Sequence, residues 1–326
     1  MLRVGLIGCG GIGAVHAVCW QQMDERVQLV AIADMNTVRA EEFAVKSGAK
    51  VYADANEMLA SETLDVVDIC LPTFLHAEYM CKAMHRVKNV IVEKPVCLTE
   101  EEAAQILQVE AETGALVQVA HVSRFGDSSA YLKKLVESGE YGKVIAGNFW
   151  RISPRPVWLR GHDDIRVSGT MALDFHIHDV DYVRWLMGGD PEQLQTWAVK
   201  DGAGVVQHIW TSYQYGDARL VAEGSWDYPT CLPFSRTFRV RLEKAAVVLD
   251  AQGVLTVYPE NGEAFTPPME PKIKMDMGIN VSDLGVYLKE LNCFVDAVTA
   301  GAGAAVSLSE AVAAFRLARK ELEMNL

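Results

Sequence analysis

Short apolar runs punctuate the first part of the chain: Leu2–Ile7, Val27–Ala33, residues 66–71, residues 90–93 and Leu116–Ala120. Each is continuous rather than alternating and rich in Val, Ile and Leu, the pattern of parallel strands buried on both faces. Helical patterns separate them. Leu75, Tyr79, Met80, Ala83, Met84 and Val87 fall on one face at helical spacing. Thr99 before Glu100, Glu101 and Glu102 has the make-up of an N-cap with an acidic first turn. Strands alternating with helices predict an α/β fold with a doubly wound parallel sheet.

After about residue 121 the rhythm changes. A helix over 128–138 leads through Gly139 and Gly142 to a strand over 144–152. An irregular segment over 153–168 and a helix over about 171–187 follow. From Trp197 to Val257 come several strand-like runs with turn residues between them, including Gly216-Asp217 and Gly253. Helices over about 284–299 and 308–324 close the sequence. This part reads as an α+β domain with a mostly antiparallel open sheet. The boundary falls between 1–120 and 121–326, and 326 residues suit two domains that each bury a core.

Composition narrows the function classes. A net charge of −13 repels phosphate backbones, which argues against nucleic acid as a partner. No apolar run reaches the roughly 18 residues of a membrane span, and the first residues lack the pattern of a secretory signal. The expected setting is the cytoplasm. Cys9, Cys19, Cys70, Cys81, Cys97, Cys231 and Cys293 are odd in number and form no C-x-x-C pair. That fits a reducing compartment and mostly buried thiols, with neither a disulfide framework nor a thiolate zinc site.

Gly8-Cys9-Gly10-Gly11-Ile12-Gly13 follows the first strand and opens a helix, satisfying G-x-G-x-x-G. The first glycine permits a tight turn, the second a close approach to a pyrophosphate, and the third close helix–strand packing. The second strand runs into Asp34, twenty-one residues after Gly13, where an acid binds ribose hydroxyls. Residues 1–120 therefore read as a Rossmann dinucleotide-binding domain. A carboxylate at Asp34 favours NAD over NADP. Arg39, one helical turn on, could blunt that preference, or could be a solvated charge beside Glu41 and Glu42.

Glu93-Lys94-Pro95 ends another apolar strand; Leu71-Pro72-Thr73 is followed by His76; Arg124-Phe125 opens the second domain. Residues 168–179 contain Asp174 and His178 in an Asp-x-x-x-His pair. With the glycine-rich start, these motifs resemble the glucose–fructose oxidoreductase, inositol dehydrogenase and rhizopine-catabolism (Gfo/Idh/MocA) family, over essentially the whole chain. The resemblance implies an NAD-dependent dehydrogenase acting on a secondary alcohol of a sugar, cyclitol or related polyol. It implies cofactor contacts from Gly8, Gly10, Gly11, Ile12, Gly13, Asp34, Arg39, Thr73, His76, Glu93 and Lys94. Lys94 would lie between nicotinamide and substrate. A cation at a strand's carboxyl end suits a developing oxyanion. Lys94, Asp174 and His178 would be catalytic, with His178 removing the alcohol proton and Asp174 orienting it or binding a neighbouring hydroxyl. On a helix, the four-residue spacing puts Asp174 and His178 on one face. Substrate contacts would come from Lys94, Arg124, Trp158, Asp174 and His178. Relatives also imply a homodimer or homotetramer that covers the open sheet.

Alternatives stay open around these residues. Asp174 could stabilise a helix start and His178 could be a satisfied core histidine. His176 and His178 invite a metal reading, but no second ligand cluster accompanies them, so no metal is expected. His176 is expected to touch substrate. Arg151, Arg155, Arg160 and Arg166, interleaved with Trp158 and His162, could grip an acidic substrate or pair with Asp163, Asp164 or a partner subunit. Two other functions fit the scaffold: an NAD-assisted glycosidase and a non-catalytic nucleotide-binding regulator.

Overall fold

A computed structural model describes residues 1–156, 170–273 and 283–325. It divides into two compact units, Met1–Val122 with Lys272–Val312, and Ser123–Pro271 with Ala313–Leu326. No helix among the described residues is long and apolar enough to cross a membrane.

In the first unit the apolar runs form strands β1 (Leu2–Ile7), β2 (Val27–Ala33), β4 (Val66–Ile69), β5 (Asn89–Glu93) and β6 (Leu116–Ala120). β3 (Lys50–Tyr52) adds an edge strand that the pattern does not reveal, because three residues are too few for an apolar run. All pairings are parallel and the order is β3-β2-β1-β4-β5-β6, that of a doubly wound Rossmann sheet. Helices α1 (Gly11–Gln22), α2 (Thr37–Ser47), α3 (Ala55–Ser61), α4 (His76–Met84) and α5 (Glu100–Thr113) connect the strands. Thr99 caps α5 in a capping box with Glu102, whose carboxylate also accepts Leu98 N–H. Beyond the end of α4, Val87 is buried and its N–H still reaches Ala83 O, so it completes the apolar face. The buried cluster runs through Val4, Leu6, Val15, Trp20 and Ile32. Leu291, Phe294 and Val295 join it from a helix late in the chain.

In the second unit, α6 (Asp127–Ser138) precedes β7 (Val144–Pro154). Six more strands follow: β8 (Gln193–Lys200), β9 (Val206–Tyr215), β10 (Ala218–Tyr228), β11 (Ser235–Leu242), β12 (Ala245–Leu249) and β13 (Leu255–Pro259). Their order is β13-β12-β11-β7-β10-β9-β8, antiparallel throughout except for the parallel pair β7–β10. The period-2 pattern separates the two faces. Phe149, Tyr213, Leu220 and Phe238 are buried on one. On the other, Trp150, Glu223, Trp210 and Trp197 stand side by side across β7, β10, β9 and β8. Trp150 and Trp197 are exposed, so this face is open in the single chain.

The helix read over 171–187 is two structures. Ala172–His176 is a π-helical turn, in which Ile177 N–H reaches Ala172 O, and α7 (Ile177–Met187) continues from it. α7 is pinned by two buried ion pairs. Arg124 forks onto Asp181 (2.8 and 2.6 Å), and Arg151 onto Asp179 (2.6 and 3.3 Å) with a further bond to Ser123 Oγ. Late in the chain, α8 (Leu284–Ala300) supplies Leu291, Phe294 and Val295 to the first core. α9 (Leu308–Glu323) carries the chain from the first unit back to the second.

Candidate nucleotide and acid–base sites

The turn from β1 to α1 is shaped by its glycines. Gly8 has φ +94°, its N–H reaches Ala33 O at 2.8 Å, and a Cβ there would meet Cys70 O at 2.5 Å. A Cβ at Gly13 would lie 2.0 Å from Gly8 O, so this glycine lets α1 seat against the turn. Gly10 differs: a Cβ would meet nothing within 4 Å, and no side chain caps the helix here. The first amides of α1 therefore lack intrahelical acceptors, and the backbone at Gly10 can be approached closely, which fits a pyrophosphate. Asp34, directly after β2, closes onto this turn. Its Oδ2 accepts Cys9 N–H at 2.6 Å and its Oδ1 accepts Asn36 N–H at 2.7 Å. Burial and then the Asp34 charge push the Cys9 thiol up to about 12, against the pull of Arg39. Arg39 itself is exposed on α2.

A second group gathers around Pro95. Thr73 is buried in the 3-10 turn Thr73–Leu75. The fully buried His76 ring has Nδ1 2.8 Å from Pro95 O and Nε2 2.7 Å from Leu71 O. It thus ties the turn after β4 to the residue after Lys94, and burial lowers its pKa against those two carbonyls. Glu93, at the end of β5, accepts Lys94 N–H at 3.0 Å. The Lys94–Pro95 peptide is cis.

Behind Glu93 lies a buried cluster that sequence reasoning missed. His16 on α1 donates Nδ1–H to Asp68 Oδ2 (2.9 Å), and its Nε2 is 3.4 Å from Glu93 Oε1. Trp20 Nε1–H donates to the same Asp68 oxygen (2.7 Å), and the Cys70 thiol lies 3.5 Å from Asp68 Oδ1. The available signal was Asp68 itself, a carboxylate inside a continuous apolar strand. His16, Asp68 and Cys70 each place a potential ligand atom within 4.8 Å of the others. Two N–H donors occupy one Asp68 oxygen, and burial followed by Asp68 holds the Cys70 thiol well above its ordinary range. Both Asp68 oxygens are thus engaged inside the core, and the cluster reads as a hydrogen-bonded one.

In the second unit, Asp174 and His178 straddle the change from π turn to regular helix, and both are half-buried. His176, expected at the substrate, is instead fully buried with Nε2 3.0 Å from Glu321 Oε2. His176 lies two residues from each of them, so it takes the opposite side of the helix while Asp174 and His178 keep partial exposure. Arg124, expected at the substrate, is buried with its fork on Asp181, and Arg151 is occupied by Asp179. Arg155 is exposed. Trp158, Arg160, His162, Asp163, Asp164 and Arg166 lie outside the described residues.

Comparison with known proteins places these features. The model of an oxidoreductase family with an NAD-binding Rossmann fold matches residues 2–121, and that of a GFO/IDH/MocA C-terminal domain matches residues 129–248. A myo-inositol 2-dehydrogenase of Thermotoga maritima is 32% identical over 59% of this chain, a stretch spanning 57% of that protein's length. An inositol 2-dehydrogenase of Rhizobium meliloti is 28% identical over 97% of this chain and 94% of its own length. Among solved structures, levoglucosan dehydrogenase in complex with NADH and levoglucosan superposes with a TM-score of 0.86. It covers 99% of this chain and 97% of its own, and at 19% identity this likeness speaks for the fold.

The His16 cluster has a pH signature. Burial would lower the His16 pKa, but the Asp68 and Cys70 interactions outweigh it and raise it well above 6.5. The folded protein therefore keeps a proton that the unfolded chain releases near pH 6.5. The stabilisation is complete below that pH and is lost as pH rises through the folded value. Urea unfolding should show stability falling above pH 6.5 with a slope approaching about 1.4 kcal/mol per pH unit from this group. Asp68→Asn should flatten that slope; an equal slope in both proteins would contradict the assignment.

Proposed function

The chain belongs to the GFO/IDH/MocA oxidoreductase family, and on that premise we propose that it is an NAD-dependent dehydrogenase acting on a secondary alcohol of a sugar, cyclitol or related polyol. The observation that carries the reading is the Asp34 carboxylate closed onto the Gly8–Gly13 turn, with the capless start of α1 beside it. That arrangement fits a pyrophosphate and a ribose carrying a free 2′-hydroxyl.

When bound, the nicotinamide supplies the acceptor for the substrate's hydride. The chain's own groups do the rest. Lys94 donates a hydrogen bond to the reacting oxygen and favours its growing negative charge. His178 takes the hydroxyl proton. Asp174 orients that imidazole or holds a neighbouring hydroxyl. Thr73, His76 and Glu93 set the backbone around Lys94: both His76 ring nitrogens meet carbonyls, one of them that of Pro95, and Glu93 holds Lys94 N–H. Two features bear on the molecule's setting. The buried cysteines suit a reducing cytoplasm. The open face bearing Trp150 and Trp197 suits a homodimer or homotetramer, which light scattering at micromolar concentration should show; a monomer mass would count against it.

The direct test is a panel of polyols, aldoses and uronic acids with NAD, read at the NADH absorbance. At least one cyclitol or sugar should yield NADH, whereas product without net NADH would indicate transient oxidation and elimination. Lys94→Ala and His178→Ala should each lower turnover by about 10²–10⁴-fold while NAD still binds. Their losses should not add, because both serve one step. Normal turnover in both folded, NAD-saturated variants would overturn the reading. In calorimetry NAD should bind more tightly than NADP, and Asp34→Ser should narrow the gap; equal affinities in the unmodified protein would refute the role given to Asp34.

A further inference from the structure

The segment carrying Asp174 and His178 is fixed from behind. Between these half-buried residues, His176 is fully buried. Its Nε2–H donates to Glu321 Oε2 at 3.0 Å. Glu321, on α9 and also fully buried, accepts Thr211 Oγ1–H at 2.9 Å and Tyr213 O–H at 2.7 Å from β9. One carboxylate therefore gathers three donors and joins the π turn, the sheet and the last helix.

The seat for the imidazole is specific. It lies against Gly224 of β10, where a Cβ would come within 2.6 Å of His176 Nδ1 and within 2.8 and 2.9 Å of its Cβ and Cγ. Nδ1 is buried with no hydrogen-bond partner among the described residues. An apolar side chain would fill this volume without stranding a nitrogen. The ring's contribution is thus the bond that Nε2 makes. A π turn leaves the regular i→i−4 ladder, so its persistence depends on contacts outside the helix. The contact found at its last residue, His176, is this one.

We propose that His176 and Glu321 are positioning residues: their buried bond holds the wide turn in the one setting that aims Asp174 and His178 at the substrate. The inference rests on the acid–base roles proposed above. Misplacement of about 1 Å at a reacting group can cost on the order of 10²-fold in rate, so a support this close matters.

The test uses the full chain with four variants. His176→Ala removes the donor, His176→Gln restores an N–H of similar reach, Glu321→Gln keeps the shape but alters the acceptor, and His178→Ala is the reference. With a polyol that yields NADH, His176→Ala and Glu321→Gln should lower kcat by about 10- to 100-fold, leaving NAD affinity within about twofold. His176→Gln should recover most of the loss. Independently of any substrate, NMR of protein carrying ¹⁵N-labelled histidine should show the His178 ring resonances displaced in His176→Ala and near normal in His176→Gln. Should His176→Ala not fold, the near-isosteric Glu321→Gln carries both readouts. Normal kcat and unmoved His178 resonances in a folded variant would overturn the proposal, as would equal losses in His176→Ala and His176→Gln. If His178→Ala keeps full activity, the acid–base reading falls; the resonance shifts then report separately whether His176 positions that ring.

Discussion

A carboxylate withdrawn from water must be met by donors or it destabilises the fold that buries it, and this chain withdraws several. Asp68 is met by His16 and Trp20, Asp179 by Arg151, Asp181 by Arg124, and Glu321 by His176, Thr211 and Tyr213. Removing one member of such a buried pair typically costs about 3–5 kcal/mol, a large fraction of a domain's stability. These contacts therefore restrict the alternatives open to the backbone. Each also lies near a residue given a role in the proposed reaction: Asp68 behind Glu93 and Lys94, Asp179 and Asp181 on α7 just after His178, Glu321 behind the segment between Asp174 and His178.

Much of the architecture is legible in the sequence because its signals are local. Continuous apolar runs announce the central strands, and Gly8, Gly10 and Gly13 with Asp34 announce the turn from β1 to α1. The alternating pattern from Trp197 onward announces the second sheet, whose one parallel pair, β7–β10, depends on a topology no local pattern records. β3 escapes because its three residues, one exposed, one half-buried and one buried, form no apolar run. The π turn escapes because a spacing of four looks alike on either helix type.

The roles of buried polar residues are legible only in part, for the same reason. Asp68 stands out within its strand, yet its partner His16 lies 52 residues away, and 145 residues separate His176 from Glu321. From sequence, Arg124 and His176 look like groups waiting for a ligand, since nothing nearby satisfies them. The fold supplies their partners from distant segments: Arg124 meets Asp181, and His176 meets Glu321. Asp34 and Lys94 were easier to place because a strand end is itself a location, set by the sheet rather than by a partner.

The interleaving of the two units has a consequence for the order in which the protein is made. Leu291, Phe294 and Val295 belong to the first core, yet the ribosome must translate all of 123–271 before it reaches them. At bacterial-to-eukaryotic elongation rates, that interval is on the order of ten seconds or more. Throughout it, the side of α1 that α8 later covers, where the His16 ring meets Tyr287, has no α8 to cover it. The second unit waits longer still, because Glu321 lies on α9, beyond α8 in the chain. The first unit is therefore still incomplete when synthesis of the second begins, and it awaits α8. A chaperone that shields apolar surface would have its longest opportunity on the unfinished first unit.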